Sequence, residues 1–171
     1  MSSSINPYHD QYLLIWNEAD RYSMIHQTYL NTNYRIMNSD GTYLFKKRKM
    51  PKNFRFHTAI SPVFNPVAKN FFVAYVEHKI LYQGMPFRAL YGAKIWVTNL
   101  DSLGNISIPE FPGQKAFPLT DVFTDKLTAT RLNQVIYNPI QNEYLVVFSL
   151  FNTSTFMNVD SEIWGMIVKA N

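Results

Sequence analysis

Short runs of apolar and aromatic residues recur along this chain, and each run follows an Asn-Pro pair at the same distance. The runs begin at Tyr12, Phe71 and Tyr144, and in every copy the first aromatic residue lies five positions after the proline. Asn-Pro followed by polar residues favours a turn, because proline presets φ and the asparagine side chain can bond the backbone ahead of it. Each copy therefore predicts a β-hairpin.

A third strand is expected after each hairpin, because a further apolar pattern recurs with constant internal spacing. The three copies are Ile25-His26 with Leu30, Ile95-Trp96 with Leu100, and Ile163-Trp164 with Val168. We therefore predict a third strand over residues 24–30 in the first unit. Fourth strands are expected after the glycine-containing turns, over residues 42–45 in the first unit and residues 106–108 in the second.

Longer connections join these predicted strands. They comprise the polar residues 17–23, the basic residues 46–57, an apolar flap over residues 77–92, a proline-rich loop over residues 109–127 with a short helix near residues 120–127, and a polar loop over residues 149–161. Successive turns of an antiparallel meander alternate between the two ends of its strands. We therefore expect the Asn-Pro turns and the turns near Gly41 and Gly104 to share one end, and the long connections to form a recognition face at the other.

Composition agrees with one all-β domain spanning residues 1–171, with repeat units at about 2–45, 58–108 and 128–171. Aromatic residues make up 16% of the chain, and rings fit the pleated, half-buried surface of a strand. With no cysteine, the chain has neither disulfides nor thiolate metal ligands. No apolar stretch is long enough to span a bilayer and no signal peptide is recognisable, so we expect a soluble protein without a cofactor, in a compartment that the sequence leaves open.

The third unit has the most complete pattern, with Tyr137-Asn138-Pro139, then Glu143 to Phe148, then Glu162-Ile163-Trp164-Gly165. This order resembles a class of tandem β-propeller repeats, common in bacterial surface and secreted proteins, that read Tyr-Asn-Pro, Glu-Tyr-Leu-Val-Val-Trp and Asp-Ile-Tyr-Gly. The first two units match in their hairpins and depart in their third strands, at His26 and Val97. The resemblance implies three four-stranded meander blades, the third incomplete, and it leaves the ligand open because such folds host many functions.

A basic segment follows the first unit. Residues 46–55 contain six of the 16 basic side chains and no acidic one, and without them the chain would carry 10 basic and 12 acidic residues. The segment is one hypothetical site for a polyanion such as nucleic acid, an anionic glycan or a lipid surface, with an aromatic ring available for stacking. The alternative is a solvated connector or a charged guard against edge pairing. The candidate ligand-binding residues are Lys46, Lys47, Arg48, Lys49, Phe54 and Arg55.

No catalytic motif stands out, so the first functional hypothesis is a non-catalytic binding or assembly module. The alternative is a carbohydrate-active protein, either a lectin that uses the loop aromatics Tyr82, Phe87 and Tyr91 or a glycosidase that uses Glu18 and Glu77. These glutamates follow the second strands of their units, and Ser149 is predicted to replace them in the third. His26 is interpreted as a ring that fills an aromatic position, or else as a ligand or acid-base group.

The repeat count also predicts a partner. Closed propellers have about four to eight blades, and three blades would expose two apolar sides and an unpaired edge near residues 163–168. A homo-oligomer, or another protein that completes the ring, is the expected remedy. A fragment of a longer propeller, or sheets that close as a barrel or sandwich, are the alternatives.

Overall fold

The computed structural model of this chain describes residues 1–19, 30–51, 57–80, 90–107, 116–119, 128–152 and 161–170. These residues form β-strands and contain no helix, which confirms the all-β prediction; the helix expected at residues 120–127 lies outside them. The strands are β1 (Ser2–Asn6), β2 (Gln11–Ala19), β3 (Leu30–Asn38), β4 (Arg48–Lys49), β5 (His57–Asn65), β6 (Asn70–Ile80), β7 (Leu90–Leu100), β8 (Ile106–Ser107), β9 (Phe117–Pro118), β10 (Thr128–Asn138), β11 (Glu143–Asn152) and β12 (Ser161–Lys169).

Three antiparallel sheets follow one another along the chain. The first sheet has the order β1-β2-β3-β4, the second has β5-β6-β7-β8 with β9 also paired to β7, and the third has β10-β11-β12. Neighbours in each sheet are mostly neighbours in sequence, so each sheet is a meander. The three expected hairpins are present as β1-β2, β5-β6 and β10-β11.

The three hairpins use one turn. In each, the Oδ1 atom of the asparagine accepts a hydrogen bond from the backbone N–H two residues ahead, at Tyr8 (3.1 Å), Val67 (2.8 Å) and Ile140 (3.1 Å). The residue four positions after each asparagine has a left-handed backbone, with φ of 52° at Asp10, 52° at Lys69 and 50° at Asn142. The repeat read from the sequence is therefore also a repeat of backbone conformation.

The third strand of the first sheet is not the one predicted. The strand that pairs with β2 is β3, and it places Asn33 opposite Trp16, where the other sheets pair Tyr75 with Trp96 and Phe148 with Trp164. Asn33 therefore holds the position predicted for His26, which lies outside the described residues. The sequence pattern missed β3 because the strand contains polar residues. Their side chains form hydrogen bonds within the sheet: Thr32 Oγ1 donates to Asn17 Oδ1 at 2.8 Å.

Other boundaries also differ from the expectation. The fourth strand of the first sheet is β4, within the basic segment, and residues 42–45 contribute only an isolated bridge between Met37 and Tyr43. Strand β9 lies in the proline-rich loop and adds a fifth strand to the second sheet, whereas the fourth strand expected there is confirmed as β8. The supposed loops are shorter, because β2, β6, β7 and β11 extend into them.

The sheets stack face to face in chain order, with the second in the middle. Leu13 and Ile15 of β2 pack against the second sheet in one buried cluster that includes Phe71 and Tyr75. A second cluster joins the opposite face of the second sheet to the third sheet, where the rings of Phe72 and Tyr144 stack with centroids 3.9 Å apart. The molecule therefore has two cores, one on each face of the middle sheet.

Polar contacts connect the first strands of the three sheets. Ser2 Oγ donates to the Ile60 carbonyl at 2.7 Å, and the backbone N–H of Val135 donates to Ser61 Oγ at 3.0 Å. Because Ser2 and Ser61 both lie four residues before their repeat asparagine, the same position makes the contact at both interfaces. Strands β1, β5 and β10 thus lie side by side along one edge of the stack.

The buried asparagines differ in how their amide groups are satisfied. Asn65 Nδ2 donates to the hydroxyl of Tyr144 at 2.8 Å across the second interface. At the equivalent place in the first interface the ring belongs to Phe71, which has no hydroxyl. Asn6 is fully buried, and its Nδ2 has no hydrogen-bond partner among the described residues. A buried donor in that state costs about 1–3 kcal/mol.

We predict opposite effects for two substitutions that exchange these rings. Tyr144→Phe should lower the free energy of unfolding by about 1–2 kcal/mol, because it removes the nearer acceptor of the buried Asn65 amide and leaves only Asn142 Oδ1 at 3.5 Å. Phe71→Tyr should leave stability unchanged or raise it by about 1 kcal/mol, since the new hydroxyl would lie where Asn6 needs an acceptor. Equilibrium urea unfolding measures both. Equal destabilisation by the two substitutions would show that the ring hydroxyl is not the acceptor that stabilises the buried asparagine amide.

A glycine turn fastens the first sheet to the second. The Gly104 carbonyl accepts hydrogen bonds from the Tyr34 hydroxyl at 3.0 Å and from the Arg48 guanidinium at 2.9 Å. The guanidinium also lies over the Phe45 ring, 4.1 Å from its centroid. Gly104 has φ of +73°, and a Cβ atom there would overlap the Phe45 ring. Both the positive φ and the nearby Phe45 ring therefore disfavour a side chain at position 104.

Gly41 provides a matched control for Gly104. It has φ of +84°, but a Cβ atom at this position would meet nothing within 4 Å. We predict that Gly41→Ala costs about 1 kcal/mol of unfolding free energy for the backbone alone. Gly104→Ala should cost about 3 kcal/mol or more, because it also displaces Phe45 and Arg48. Similar unfolding free energies for the two alanine variants would show that the Phe45 contact is unimportant.

Candidate binding surfaces

The second strand of each sheet has the same apolar pattern but a different degree of cover. In β6 every residue from Phe71 to Val76 is buried, because other sheets pack on both faces. Over residues 11–16 of β2 and 144–148 of β11 only alternate residues are buried, because each strand has one covered face. In the isolated chain the apolar run at residues 12–16 is therefore covered on one face only.

The face of the third sheet that points away from the second will be called the trailing face. Its side chains come from β10, β11 and β12 and include Ile136, Leu145, Val147, Ile163 and Ile167. Exposure is 45% for Ile136, 37% for Leu145, 77% for Ile163 and 64% for Ile167. These residues lie side by side across three paired strands, because Ile136 pairs with Leu145 and Leu145 pairs with Ile167. A contiguous apolar surface of this kind is typical of an interaction site.

The opposite end of the stack has a corresponding surface on the first sheet, the leading face. It consists of Tyr12, Leu14 and Trp16, which alternate with the buried residues of β2 and are each partly exposed. Ile5 lies beside Tyr12 on β1. The Arg35 guanidinium lies 4.2 Å from the centroid of the Tyr43 ring near the edge of the same sheet. Arg35 pairs with Leu14, so the leading face is aromatic and apolar and also carries one cation.

The basic residues from 46 to 49 do not form one patch of equivalent charges. Arg48 bonds to the Gly104 turn, and Lys47 forms an ion pair with Glu18 at 2.5 Å. Lys46 and Lys49 are exposed, and Lys49 pairs through its backbone with Asn33 at the edge of the first sheet. Two of the four cations thus have structural contacts, which agrees with a charged edge strand as well as with a ligand site.

Glu18 belongs to this same edge. Its carboxylate accepts hydrogen bonds from Lys47 and from the side-chain amide of Asn33. The Lys47 contact holds the pKa of the Glu18 carboxyl below its ordinary value, so the group is ionised at neutral pH. A carboxylate in that state can bind a cation or accept hydrogen bonds, but it is poorly suited to donate a proton as a general acid.

Glu77 occupies the equivalent place in β6, but its environment is different. Both glutamates lie twelve residues after their repeat asparagine, and Glu77 is only 3% exposed, inside the strand and not at a solvent-facing end. Burial, with the charge of Glu77 in addition, raises the pKa of the Tyr75 hydroxyl. The register places Leu150, not Ser149, at this position in the third sheet. The two carboxylates lie on different sheets and do not face each other, because Glu18 shares the outer, partly exposed face of β2 with Trp16 whereas Glu77 is buried.

The remaining candidate residues cannot be placed at a site. Phe54, Arg55, Tyr82 and Phe87 lie outside the described residues. Tyr91 lies in β7, where its backbone pairs with Lys79, but its side chain is not described.

The turns at Tyr8 and Phe64, and at Asn65 and Asn142, do meet at one end of the stack, as the meander predicts.

Sequence reasoning foresaw exposed apolar sides but did not name the residues that form them. A signal for them was present, because the runs at Tyr12–Trp16 and Tyr144–Phe148 are apolar at every position. Such continuous runs are typical of strands buried on both faces. A strand that is apolar at every position, but belongs to a sheet with one uncovered face, therefore indicates a surface that a partner could cover.

We predict that Lys46→Ser with Lys49→Ser elutes from heparin at lower salt than the unaltered protein. Each cation that leaves a polyanion contact reduces counterion release on binding, so retention becomes less salt-dependent. Arg48 and Lys47 stay in place, since their contacts stabilise the first sheet. The control is Lys69→Ser with Lys169→Ser, which removes the same charge elsewhere. Elution of all three proteins at the same salt concentration would show that residues 46–49 form a charged sheet edge and do not bind a polyanion.

No protein-family model matches this chain. No curated protein matches it either. Within the described ranges, no helix has the length and apolar character needed to cross a bilayer. The same part of the chain contains no group of three or more His, Cys, Asp or Glu side chains arranged to hold a metal ion.

Proposed function

We propose that this chain is a non-catalytic binding and assembly module built from three propeller-type blades. The trailing face is the observation that carries the proposal. Its isoleucine and leucine side chains form one surface across three strands, and the exposed β12 lies at the edge of that sheet. Burying a side chain of this size contributes about 1.5–3 kcal/mol, so a partner of matching shape would bind there favourably.

Three features support the propeller-type description. The sheets are successive meanders, they stack through the same alternating positions, and their first strands lie together along one edge. A propeller blade has this connectivity and this packing on its neighbours. The long connections leave the sheets at the end opposite the hairpin turns, where recognition of a ligand by loops would be expected.

A lectin or glycosidase role is the competing proposal. A glycosidase needs two carboxylates that flank one sugar. The ion pair of Glu18, the burial of Glu77 and the location of the two glutamates on different sheets favour the binding module instead. A lectin would use Tyr82 and Phe87, which lie outside the described residues, and Tyr91 in β7, and a glycan array tests this role directly.

We predict that the purified protein neither hydrolyses glycosides in a broad screen nor binds specific sugars on a glycan array. The reason is the absence of facing carboxylates at Glu18 and Glu77. Turnover that disappears in Glu77→Gln, but persists in the control Glu143→Gln, would overturn the proposed function. Saturable sugar binding without turnover would replace it with a lectin.

A further inference from the structure

The two interfaces inside this molecule are built by one rule. Positions can be counted from the repeat asparagines Asn6, Asn65 and Asn138. Side chains at positions 7 and 9 face the following sheet, and side chains at positions 6, 8 and 10 face the preceding sheet. At the first interface these are Leu13 and Ile15 against Phe71, Val73 and Tyr75; at the second they are Phe72 and Ala74 against Tyr144, Val146 and Phe148.

The same rule describes the two uncovered faces. The trailing face presents Leu145 and Val147, which are positions 7 and 9 of the third sheet. The leading face presents Tyr12, Leu14 and Trp16, which are positions 6, 8 and 10 of the first sheet. Each uncovered face is therefore one half of an interface that the chain already forms twice, and the two halves are complementary to each other.

We propose that a second copy of this chain supplies the cover, with the trailing face of each copy packed on the leading face of the other. The inference rests on the proposed function, because it names the partner of that binding surface. Two copies related by a two-fold axis form two identical junctions and a closed ring of six sheets, as closed symmetry requires. Six sheets lie within the range of about four to eight blades in which propellers close.

A polar contact supports this pairing. At the second interface, position 0 of one sheet donates to position 6 of the next, where Asn65 Nδ2 bonds the Tyr144 hydroxyl. Between copies, the equivalent residues are Asn138 of one chain and Tyr12 of the other. Tyr12 has the hydroxyl that Phe71 lacks at the first interface. The junction between copies can therefore form the same amide-to-hydroxyl hydrogen bond that Asn65 and Tyr144 form at the second interface. A tyrosine on a partly exposed strand face is otherwise unnecessary for this chain's own core.

The residue opposite Val147 on β12 adds to the fit. Gly165 pairs with Val147 and leaves the trailing face low at that point. The equivalent residues in the first and second sheets are Tyr34 and Val97, opposite Ile15 and Ala74. On the leading face, position 10 is Trp16, which is larger than Tyr75 and Phe148 at the two internal interfaces. A small residue facing a large one keeps the volume of the junction similar to that of the other two.

The test uses one variant on each face and the mass of the protein in solution. Analytical ultracentrifugation of the unaltered chain at 1–100 μM should give a species of twice the 20.0 kDa chain mass. Leu145→Lys and Leu14→Lys should each raise the dimer dissociation constant at least about a hundredfold, because a charge is buried at both junctions. Ile140→Lys, at an exposed hairpin turn, is the control and should remain dimeric.

Mixing the two altered proteins separates this pairing from any other. Leu145→Lys keeps a normal leading face and Leu14→Lys keeps a normal trailing face, so their mixture can form one intact junction. We expect the mixture to recover a dimer that is weaker than the original but tighter than either variant alone. If two trailing faces paired with each other, Leu14→Lys alone would still dimerise, which would overturn the proposal. Failure to recover on mixing would overturn it as well.

The predicted hydroxyl contact has its own matched pair. Tyr12→Phe should weaken the dimer roughly five- to thirtyfold, since a hydrogen bond of about 1 kcal/mol is lost at each of two junctions. Tyr8→Phe removes a hydroxyl from the neighbouring turn and should change the dissociation constant little. Thermal melts followed by circular dichroism show that each variant is folded. Equal dissociation constants for Tyr12→Phe and the unaltered chain would contradict the assignment.

Failure of the dimer proposal can be distinguished from failure of the proposed function. A monomer at 100 μM would overturn the dimer while leaving the trailing face as a site for a different protein. Assemblies larger than a dimer would overturn the closed ring. Sugar turnover, in contrast, would overturn the proposed function whatever the mass of the protein.

Discussion

A strand that is apolar at every position needs cover on both faces of its sheet. In this molecule β6 has that cover, since one sheet packs on each side of it and every residue from Phe71 to Val76 is buried. The first and third sheets gain one buried face each from the same middle sheet. The stack therefore depends on the second sheet, and its two cores would separate without it.

Polar groups decide how the sheets align once they are stacked. The repeat asparagine closes its hairpin turn with Oδ1 and, at Asn65, reaches the next sheet with Nδ2. Local turn formation and alignment between sheets thus use one side chain. Burial raises the pKa of the Tyr144 partner to about 12, so this contact keeps its proton at any physiological pH. Asn6 lacks the second contact, which makes the first interface the less completely satisfied of the two.

Charge has a different role at the edge of the first sheet. The basic residues there look like one ligand site in the sequence, but their partners differ. Arg48 holds the Gly104 turn and Lys47 neutralises Glu18. Charged residues on a short edge strand also discourage pairing with other chains at that edge. Association through sheet faces, in contrast, is left open by the exposed isoleucines at the far end of the stack.

The sequence by itself determined the all-β class, the three hairpins and their turns, because Asn-Pro chemistry and strand periodicity act over a few residues. It misplaced β3, since the polar side chains of Thr32 and Asn33 donate hydrogen bonds to neighbours on β2 that only the register reveals. It treated the basic segment as one unit and placed Glu77 after the end of its strand, although the residues of the first have different partners and Glu77 is buried within β6. Only the tertiary structure decided which face of each apolar strand is covered, because burial depends on the order in which distant sheets stack.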